Sequence, residues 1–348
     1  MLKEKTVLIL GAGASKEGNL PTGTELSEQI KVLTSRQGGE LPSLLSFFDD
    51  HRIREVQDSL LEGCRRISLG LDWSVSIDNF LFTHARNTDI LRAGKLAIAH
   101  SIMAAESSSY LMYRTEPPRF DNTKEVLASW YHSLAVGLMS GISASDGEAS
   151  TLFDNLTIID FNYDRCVEHF LFHTLQWHFD WSEEIAASVM KKLRICHPYG
   201  SLGPLPWRDA DQGQPFGAAN ALDASQRIRT FMERMEELPS ELRSARQSLS
   251  EARNIIFLGF GFHEQNIRLI APDPLLSNLD RRIYYSNKGL SSTAALDAES
   301  LILREWFTDL NLVVFTGGQH ADVVRMFQKG FGQPCSTLMS EYRTNFFS

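Results

Sequence analysis

The fold is decided by the sequence TVLILGAGAS, residues 6–15, in which a run of aliphatic and β-branched residues ends in a glycine turn. A short continuous apolar run closed by glycine is typical of a buried central strand of a parallel sheet. Glycine lets the backbone approach a ligand closely, and the amides that open a following helix can face a phosphate. We therefore predict a buried strand followed by a candidate phosphate-binding turn. The turn comprises Gly11, Ala12, Gly13, Ala14 and Ser15.

Further short apolar runs follow along the chain, separated by segments with helical spacing. They lie at residues 156–161, 193–197, 254–259, 282–286 and 312–315. Short buried strands that alternate with amphipathic helices are typical of a doubly wound α/β fold, so we predict a Rossmann-like parallel sheet. This domain would comprise residues 1–35 and 151–335.

Residues 36–150 are too many for a simple crossover between two parallel strands, so we interpret them as an inserted helical module. Apolar residues at helical spacing support this interpretation, for example Leu44, Phe47 and Phe48. A smaller helical excursion is predicted at residues 221–252, where an apolar stripe runs until Pro239 and is interpreted as core packing rather than as an oligomer seam. The stripe consists of Ile228, Phe231, Met232, Met235 and Leu238.

Composition excludes several classes of protein. The 348 residues carry a formal net charge of −9 and no long run of Lys and Arg, which argues against nucleic-acid binding. No apolar stretch approaches the roughly 20 residues of a bilayer span and no signal peptide is evident, so we expect a cytoplasmic protein without membrane contact. The cysteines are too far apart for a structural zinc site, and no metal is predicted; four buried thiols are expected. These are Cys64, Cys166, Cys196 and Cys335.

Polar side chains follow two of the predicted strands directly. Asn162 and Asp164 come after the strand at 156–161, and His197 ends the strand at 193–197. An imidazole can accept a proton near neutral pH, so His197 is a candidate for activating a hydroxyl or a water. Asp164 has a structural alternative, since an Asx turn there would cap the helix predicted at 165–177.

Taken in order, these segments resemble the sirtuin-like superfamily. In that family a Gly-Ala-Gly-Ala-Ser turn is followed by a Gly-x-Pro loop that closes over NAD, and here the loop runs from Gly18 to Pro21 with one more residue. Asn162 and Asp164 fall in register with a Gln-Asn-Ile-Asp segment. His197 resembles the catalytic His that precedes Gly-Ser, although two residues separate it here from Gly200.

Two later segments extend the resemblance. The sequence FLGFGF at 257–262 stands where sirtuins have a Gly-Thr-Ser turn near the adenosine ribose and phosphates, and Asn287 loosely matches an Asn on the adenosine side. The resemblance implies that Asn162 positions water or the ribose, that Asp164 holds the nicotinamide carboxamide and that His197 is a base or a hydroxyl anchor. It further implies a set of NAD-binding residues. The set is Gly11, Ala12, Gly13, Ala14, Ser15, Pro21, Asn162, Asp164, Gly259, Phe260, Gly261 and Asn287.

Departures from the family narrow the expected activity. The paired zinc-binding cysteines of the protein deacylases are absent, and Thr22-Gly23-Thr24 stands where deacylases continue with Phe-Arg. The pattern is more similar to bacterial sirtuin-like effectors of antiphage defence, which implies an NAD glycohydrolase that releases nicotinamide and ADP-ribose. An enzyme that consumes NAD would need restraint, so we expect low basal activity and a trigger through homo-oligomer assembly or a genomically linked partner protein.

Other functions stay open at this stage. A non-catalytic NAD- or ADP-ribose-binding regulatory subunit and an NAD-dependent deacylase or ADP-ribosyltransferase are the alternatives. The missing third glycine and missing ribose-binding acid argue against a dehydrogenase. The segment at residues 76–81 is reminiscent of one in the bacterial branch, so Asp78 could enter the site, but a helix-capping Asp is the preferred interpretation.

Overall fold

The computed structural model describes residues 1–35, 54–143, 151–236, 238–272, 281–307, 327–330 and 334–347, and its centre is a parallel β-sheet. The strands are β1 (Thr6–Leu10), β2 (Tyr113–Thr115), β3 (Pro118–Phe120), β4 (Leu156–Asp160), β5 (Arg194–Cys196), β6 (Asn254–Leu258), β7 (Arg282–Ser286) and β8 (Phe327–Gly330).

The helices before β4 are α1 (Ala12–Ser15), α2 (Gly23–Thr34), α3 (Arg54–Gly70), α4 (Ile77–Thr83), α5 (Thr88–Ser107), α6 (Thr123–Leu127) and α7 (Trp130–Met139). Those after it are α8 (Cys166–Phe179), α9 (Glu183–Met190), α10 (Ala221–Arg227), α11 (Phe231–Glu236), α12 (Ser240–Glu251), α13 (Glu264–Leu269), α14 (Ser292–Trp306), α15 (Cys335–Glu341) and α16 (Arg343–Phe346).

The strand order is that of a Rossmann-like fold. Six strands pair in the order β5-β4-β1-β6-β7-β8, and all five pairings are parallel. The chain runs outward from β1 through β4 to β5, then returns to the other side of β1 and runs outward from β6. Ligands of such sheets bind outside the carboxyl ends of the strands at this reversal, which here lies between β1 and β6.

Both faces of the sheet are covered, which explains the continuous apolar character of β1. Val7 and Ile9 belong to the core beneath α2, α5 and α14, whereas Leu8 and Leu10 belong to the core beneath α7, α8 and α15. The central strands of the sheet are therefore buried, and the polar groups that follow the strands lie together at the carboxyl edge of the sheet.

Most of the predicted strand bounds are close to those observed. β1 and β7 have the predicted bounds, β4 and β6 each end one residue earlier, and β5 is shorter by one residue at each end. The strand predicted at 312–315 lies outside the described residues, as do Leu44, Phe47 and Phe48.

The described part of the predicted insertion, residues 54–143, contains helices α3 to α7, as expected, and also the small β2–β3 hairpin, which the sequence did not predict. The excursion at 221–252 is three helices rather than one continuous stripe, because the backbone is extended at Ile228 (φ −70°, ψ 136°) and Pro239 precedes α12. Met232 is half exposed instead of packed, and the side chain of Met235 lies outside the described residues.

The four cysteines are free and buried, which confirms that interpretation. Within the described ranges, no helix combines the length and apolar character needed to cross a bilayer.

Candidate active site

The glycine turn packs directly against the turn that follows β6. The Gly11 amide donates to the Leu258 carbonyl at 3.0 Å, and the Gly13 amide donates to the Gly259 carbonyl at 3.0 Å. Gly259 is left-handed, with φ +57°, and a Cβ there would lie 2.0 Å from the Ala14 nitrogen. Glycine is therefore required at 259 both for the backbone conformation and for the close approach of the two turns.

The amides of the predicted phosphate-binding turn are largely used within the protein. Besides Gly11 and Gly13, the Ala14 amide donates to the Gly11 carbonyl at 2.8 Å. Helix α1 then ends after four residues, at Ser15. A phosphate that engages the Gly11 or Gly13 amide would have to displace the bond of that amide to Leu258 or Gly259.

Ser15, Asn162 and Asp164 form one buried hydrogen-bond network beside this turn. Asn162 Nδ2 donates to the Gly11 carbonyl at 3.1 Å and to Ser15 Oγ at 2.9 Å. Ser15 Oγ in turn donates to Asp164 Oδ2 at 2.7 Å. The other oxygen of Asp164 accepts from the Cys166 amide at 3.1 Å, so Asp164 also makes the Asx turn that opens α8.

His197 joins the same network from β5. Its Nδ1 lies 3.0 Å from the Asn162 carbonyl oxygen and its Nε2 lies 3.0 Å from Glu168 Oε1. A carbonyl can only accept, so Nδ1 carries a proton, and the Glu168 carboxylate is best matched by a second proton on Nε2. Burial opposes this charge, but the adjacent Glu168 carboxylate outweighs it and raises the pKa of His197 to about 9. In this arrangement His197 is an imidazolium that donates two hydrogen bonds, not a free base.

Three carboxyl groups crowd this end of β4 and the start of α8. Asp160 Oδ1 accepts from the Asn162 amide at 2.9 Å, whereas its Oδ2 is buried without a hydrogen-bond partner among the described residues. Burial raises the pKa of Asp160 well above its usual range, and it also raises the pKa of Asp164. For Glu168 burial acts in the same direction, but the His197 charge overrides it and the pKa is lowered. Asp160 is thus the carboxyl group suited to being neutral and Glu168 the one suited to being ionised.

Asp78 does not cap its helix, contrary to the preferred interpretation. The cap of α4 is Ser76, whose Oγ accepts from the Asn79 amide at 3.1 Å. Asp78 is instead hydrogen-bonded to the Tyr163 hydroxyl, between the two site residues of the 162–164 segment. The insertion therefore touches the candidate active site.

Aromatic rings occupy the carboxyl edge on the α5 side of the sheet. The ring of Phe260 lies 5.2 Å from that of Phe161 and 5.3 Å from that of Phe262, and Phe161 also contacts Tyr199 at 5.6 Å. All four side chains are buried. Phe260, for which a ligand contact was predicted, thus packs into the protein. At the neighbouring Gly261, a Cβ would lie 3.1 Å from the His263 ring.

The remaining predicted ligand residues are Pro21, in the loop before α2, and Asn287, directly after β7. Pro21 is buried in a loop held by the turn after α5, where Ser109 Oγ donates to the Gly18 carbonyl at 2.6 Å. Asn287 is buried after β7, and it is the preceding Ser286 whose Oγ accepts from the Gly259 amide at 2.8 Å.

Sequence reasoning missed Glu168, Asp160 and Ser286. A signal existed for Glu168, because it is the single acidic residue in the apolar start of α8, CVEHFLF, one helical turn after Asp164. Asp160 stood inside a predicted strand and Ser286 at the end of another, where a small polar residue gives no distinctive pattern.

Compared with protein-family models and with the sequences of characterised proteins, the chain has no match. Fold and site thus define a Rossmann-like α/β protein with a buried polar network at its strand reversal.

Proposed function

We propose that this protein is an NAD glycohydrolase that cleaves the nicotinamide–ribose bond and releases nicotinamide and ADP-ribose. One observation carries the proposal: the buried network of Ser15, Asn162 and Asp164 lies beside the glycine turn at the strand reversal, with His197 bonded to the Asn162 backbone. Polar groups held this rigidly suit a reaction that depends on positioning.

The reaction needs few catalytic groups from the protein. The bond between nicotinamide and ribose breaks with its electron pair moving to nicotinamide, water adds to the resulting oxocarbenium ion, and one proton is released. Asn162 would position the water or the ribose, and Asp164 would hold the carboxamide and offset the positive charge on the sugar. His197, as an imidazolium, would anchor a ribose hydroxyl or phosphate oxygen as a donor.

The described form fits a resting state of such an enzyme. Three of the five amides of the turn donate to carbonyl groups of the protein, and the rings of Phe161 and Phe260 pack at the carboxyl edge where a dinucleotide would lie. Phe262 has a left-handed backbone with φ +51°, which is costly for a residue with a side chain. We propose that the Gly259–Phe262 loop moves away when the protein assembles with itself or with a partner protein in the cytoplasm, as a defence effector that depletes NAD when triggered would require.

The test is to incubate the protein with NAD, alone and together with the products of neighbouring genes, and to quantify nicotinamide and ADP-ribose. Asn162→Ala and His197→Ala should lower the activated rate by about 100-fold or more, as expected when positioning groups are removed. Ser188→Ala, on the exposed face of α9, is the matched control and should retain the rate. Circular dichroism establishes that each variant is folded.

A regulatory subunit that binds NAD or ADP-ribose without turnover is the second candidate. It is favoured by the engagement of both ring nitrogens of His197, which leaves no free base. Calorimetric binding of NAD combined with no consumption under any condition would establish this function and exclude hydrolysis. Release of O-acyl-ADP-ribose or a modified acceptor would instead identify a deacylase or ADP-ribosyltransferase.

A further inference from the structure

A cavity of about 420 Å³ opens at the outer edge of β5, behind His197. It is lined by Ile195 and Cys196 of this edge strand, by the loop that follows His197 and by the start of α12. No residue of the glycine turn or of the Gly259 loop lines it. His197 and Glu168 also line it, so the cavity adjoins the candidate active site without reaching the glycine turn, and its size is within the range of small-molecule sites.

Four arginines line this cavity, and one of them is already neutralised. Arg165 is fully buried, and its guanidinium bonds the Glu106 carboxylate through Nη2 at 2.5 Å and through Nε at 3.1 Å. The other three are Arg208, Arg227 and Arg234. In the part of the chain that the structure describes, none of these three guanidinium groups lies within 4.0 Å of a carboxylate oxygen.

The guanidinium groups of Arg227 and Arg234 donate to neutral groups. Arg227 Nη2 donates to Gln212 Oε1 at 3.2 Å, and Arg234 Nε donates to the Pro198 carbonyl. Burial lowers the pKa of Arg234, and the nearby Arg229 charge acts in the same direction. The carboxylates of Glu168 and Glu241 also line the cavity, so its wall combines these carboxylates with three guanidinium groups that make no direct ion pair among the described residues.

The side chain of Glu168 also lines the cavity and carries an unused hydrogen-bond acceptor. Glu168 is 8% exposed, its Oε1 is taken by His197, and its Oε2 has no hydrogen-bond partner among the described residues. A buried carboxylate oxygen without a donor is costly, which makes it a good acceptor for a ligand hydroxyl. The cavity wall therefore combines anion-binding guanidinium groups with one site for an O–H donor.

We propose that this cavity binds a sugar phosphate, with the phosphate on Arg227 and Arg234 and a sugar hydroxyl on Glu168. Arginine forks match the geometry of phosphate oxygens, and Arg208 at the exposed rim adds to the field that attracts the anion. Binding at this site requires neither NAD nor its turnover. A ligand here would nevertheless touch the carboxylate that holds His197 in place.

The test is isothermal calorimetry of the full chain with ribose 5-phosphate, inorganic phosphate and ribose, without NAD. Ribose 5-phosphate should bind, and the affinity should fall at least about 10-fold in Arg227→Ala and in Arg234→Ala, as for lost charge-assisted phosphate contacts. Arg253→Ala, which removes the same charge at the amino end of β6, should leave the affinity unchanged. Thermal denaturation identifies unfolded variants, and in that case Arg227→Lys and Arg234→Lys replace them, with affinity expected to fall less than with alanine.

The outcomes are distinct. No binding of ribose 5-phosphate, or equal binding by wild type and both arginine variants, overturns the proposal. Equal affinity for inorganic phosphate and ribose 5-phosphate overturns the assigned role of Glu168. Because no step measures NAD consumption, the two proposals fail separately: a protein that shows this binding pattern but consumes no NAD under any condition would lack the proposed hydrolysis and keep this site.

Discussion

His197 is held between the Asn162 carbonyl and the Glu168 carboxylate, with both of its nitrogens used. The neighbouring carboxylate outweighs the effect of burial and raises the pKa of His197 from 6.5 to about 9, so the folded state binds a proton that the unfolded state releases. Stability from this proton is fully present below pH 6.5 and is lost as the pH rises through about 9. The lowered pKa of Glu168 has its effect at acidic pH. The stability that it contributes is lost as the pH falls below the usual pKa of a glutamate side chain.

The wild type should therefore lose about 3 kcal/mol of unfolding free energy between about pH 6.5 and pH 9.5 relative to Glu168→Gln, which removes the main group that raises the pKa of His197. Urea denaturation at several pH values measures this difference, and the His197 resonance gives the pKa directly by NMR. Parallel stability profiles for the two proteins would contradict the ion pair.

At the scale of elements, the contact between the glycine turn and the Gly259 loop fixes the carboxyl edge of the sheet. Gly259→Ala should lower the unfolding free energy by about 3 kcal/mol or more, because it combines a left-handed backbone with a steric clash. Gly289 provides the matched control, since it is also left-handed, with φ +86°, but a Cβ there meets nothing within 4 Å. Gly289→Ala should cost only about 1 to 2 kcal/mol, and equal losses measured by denaturant titration would show that the close approach adds nothing.

Strands β1, β4, β5, β6 and β7 could be predicted because each lies in a short apolar run, whereas β8, with the sequence FQKG, and several contacts of the site could not. The β2–β3 hairpin has three-residue strands that are largely exposed and lack apolar alternation, so no sequence pattern indicated it. Asp78 was assigned to helix capping because its partner, Tyr163, is 85 residues away. Asn162, Asp164 and His197 were predicted to stand at the ends of two strands, and the structure brings them together there, but the donor role of His197 depends on Glu168, which the strand pattern does not reveal.

At the scale of the whole molecule, one buried ion pair ties the insertion to the Rossmann-like domain. Glu106 at the end of α5 and Arg165 at the start of α8 are 0% and 1% exposed, and Glu106 Oε2 also accepts from the Gly217 amide at 2.9 Å. The pair joins three segments that are far apart in sequence, so we expect the insertion and the sheet to unfold together.

Glu106→Gln should therefore lower the unfolding free energy by about 3 to 5 kcal/mol, because it leaves the Arg165 charge buried and uncompensated. The transition should remain single, with near- and far-ultraviolet circular dichroism changing together. Glu62→Gln, which breaks an exposed ion pair on α3, should leave the midpoint where it is. Two separate transitions in the wild type would show that the insertion folds on its own.

Because β1 lies in the middle of the sheet, it lacks its neighbouring strands for part of the time during which the chain is synthesised. Its neighbours are β4 and β6, and the latter begins roughly 240 residues further along the chain. A ribosome needs roughly 10 to 50 s to cover that distance, during which this apolar strand has left the exit tunnel with one or both edges unpaired. The nascent chain must be shielded by chaperones or by its own helices until β6 emerges, so translation speed should govern how much of the protein reaches the folded state.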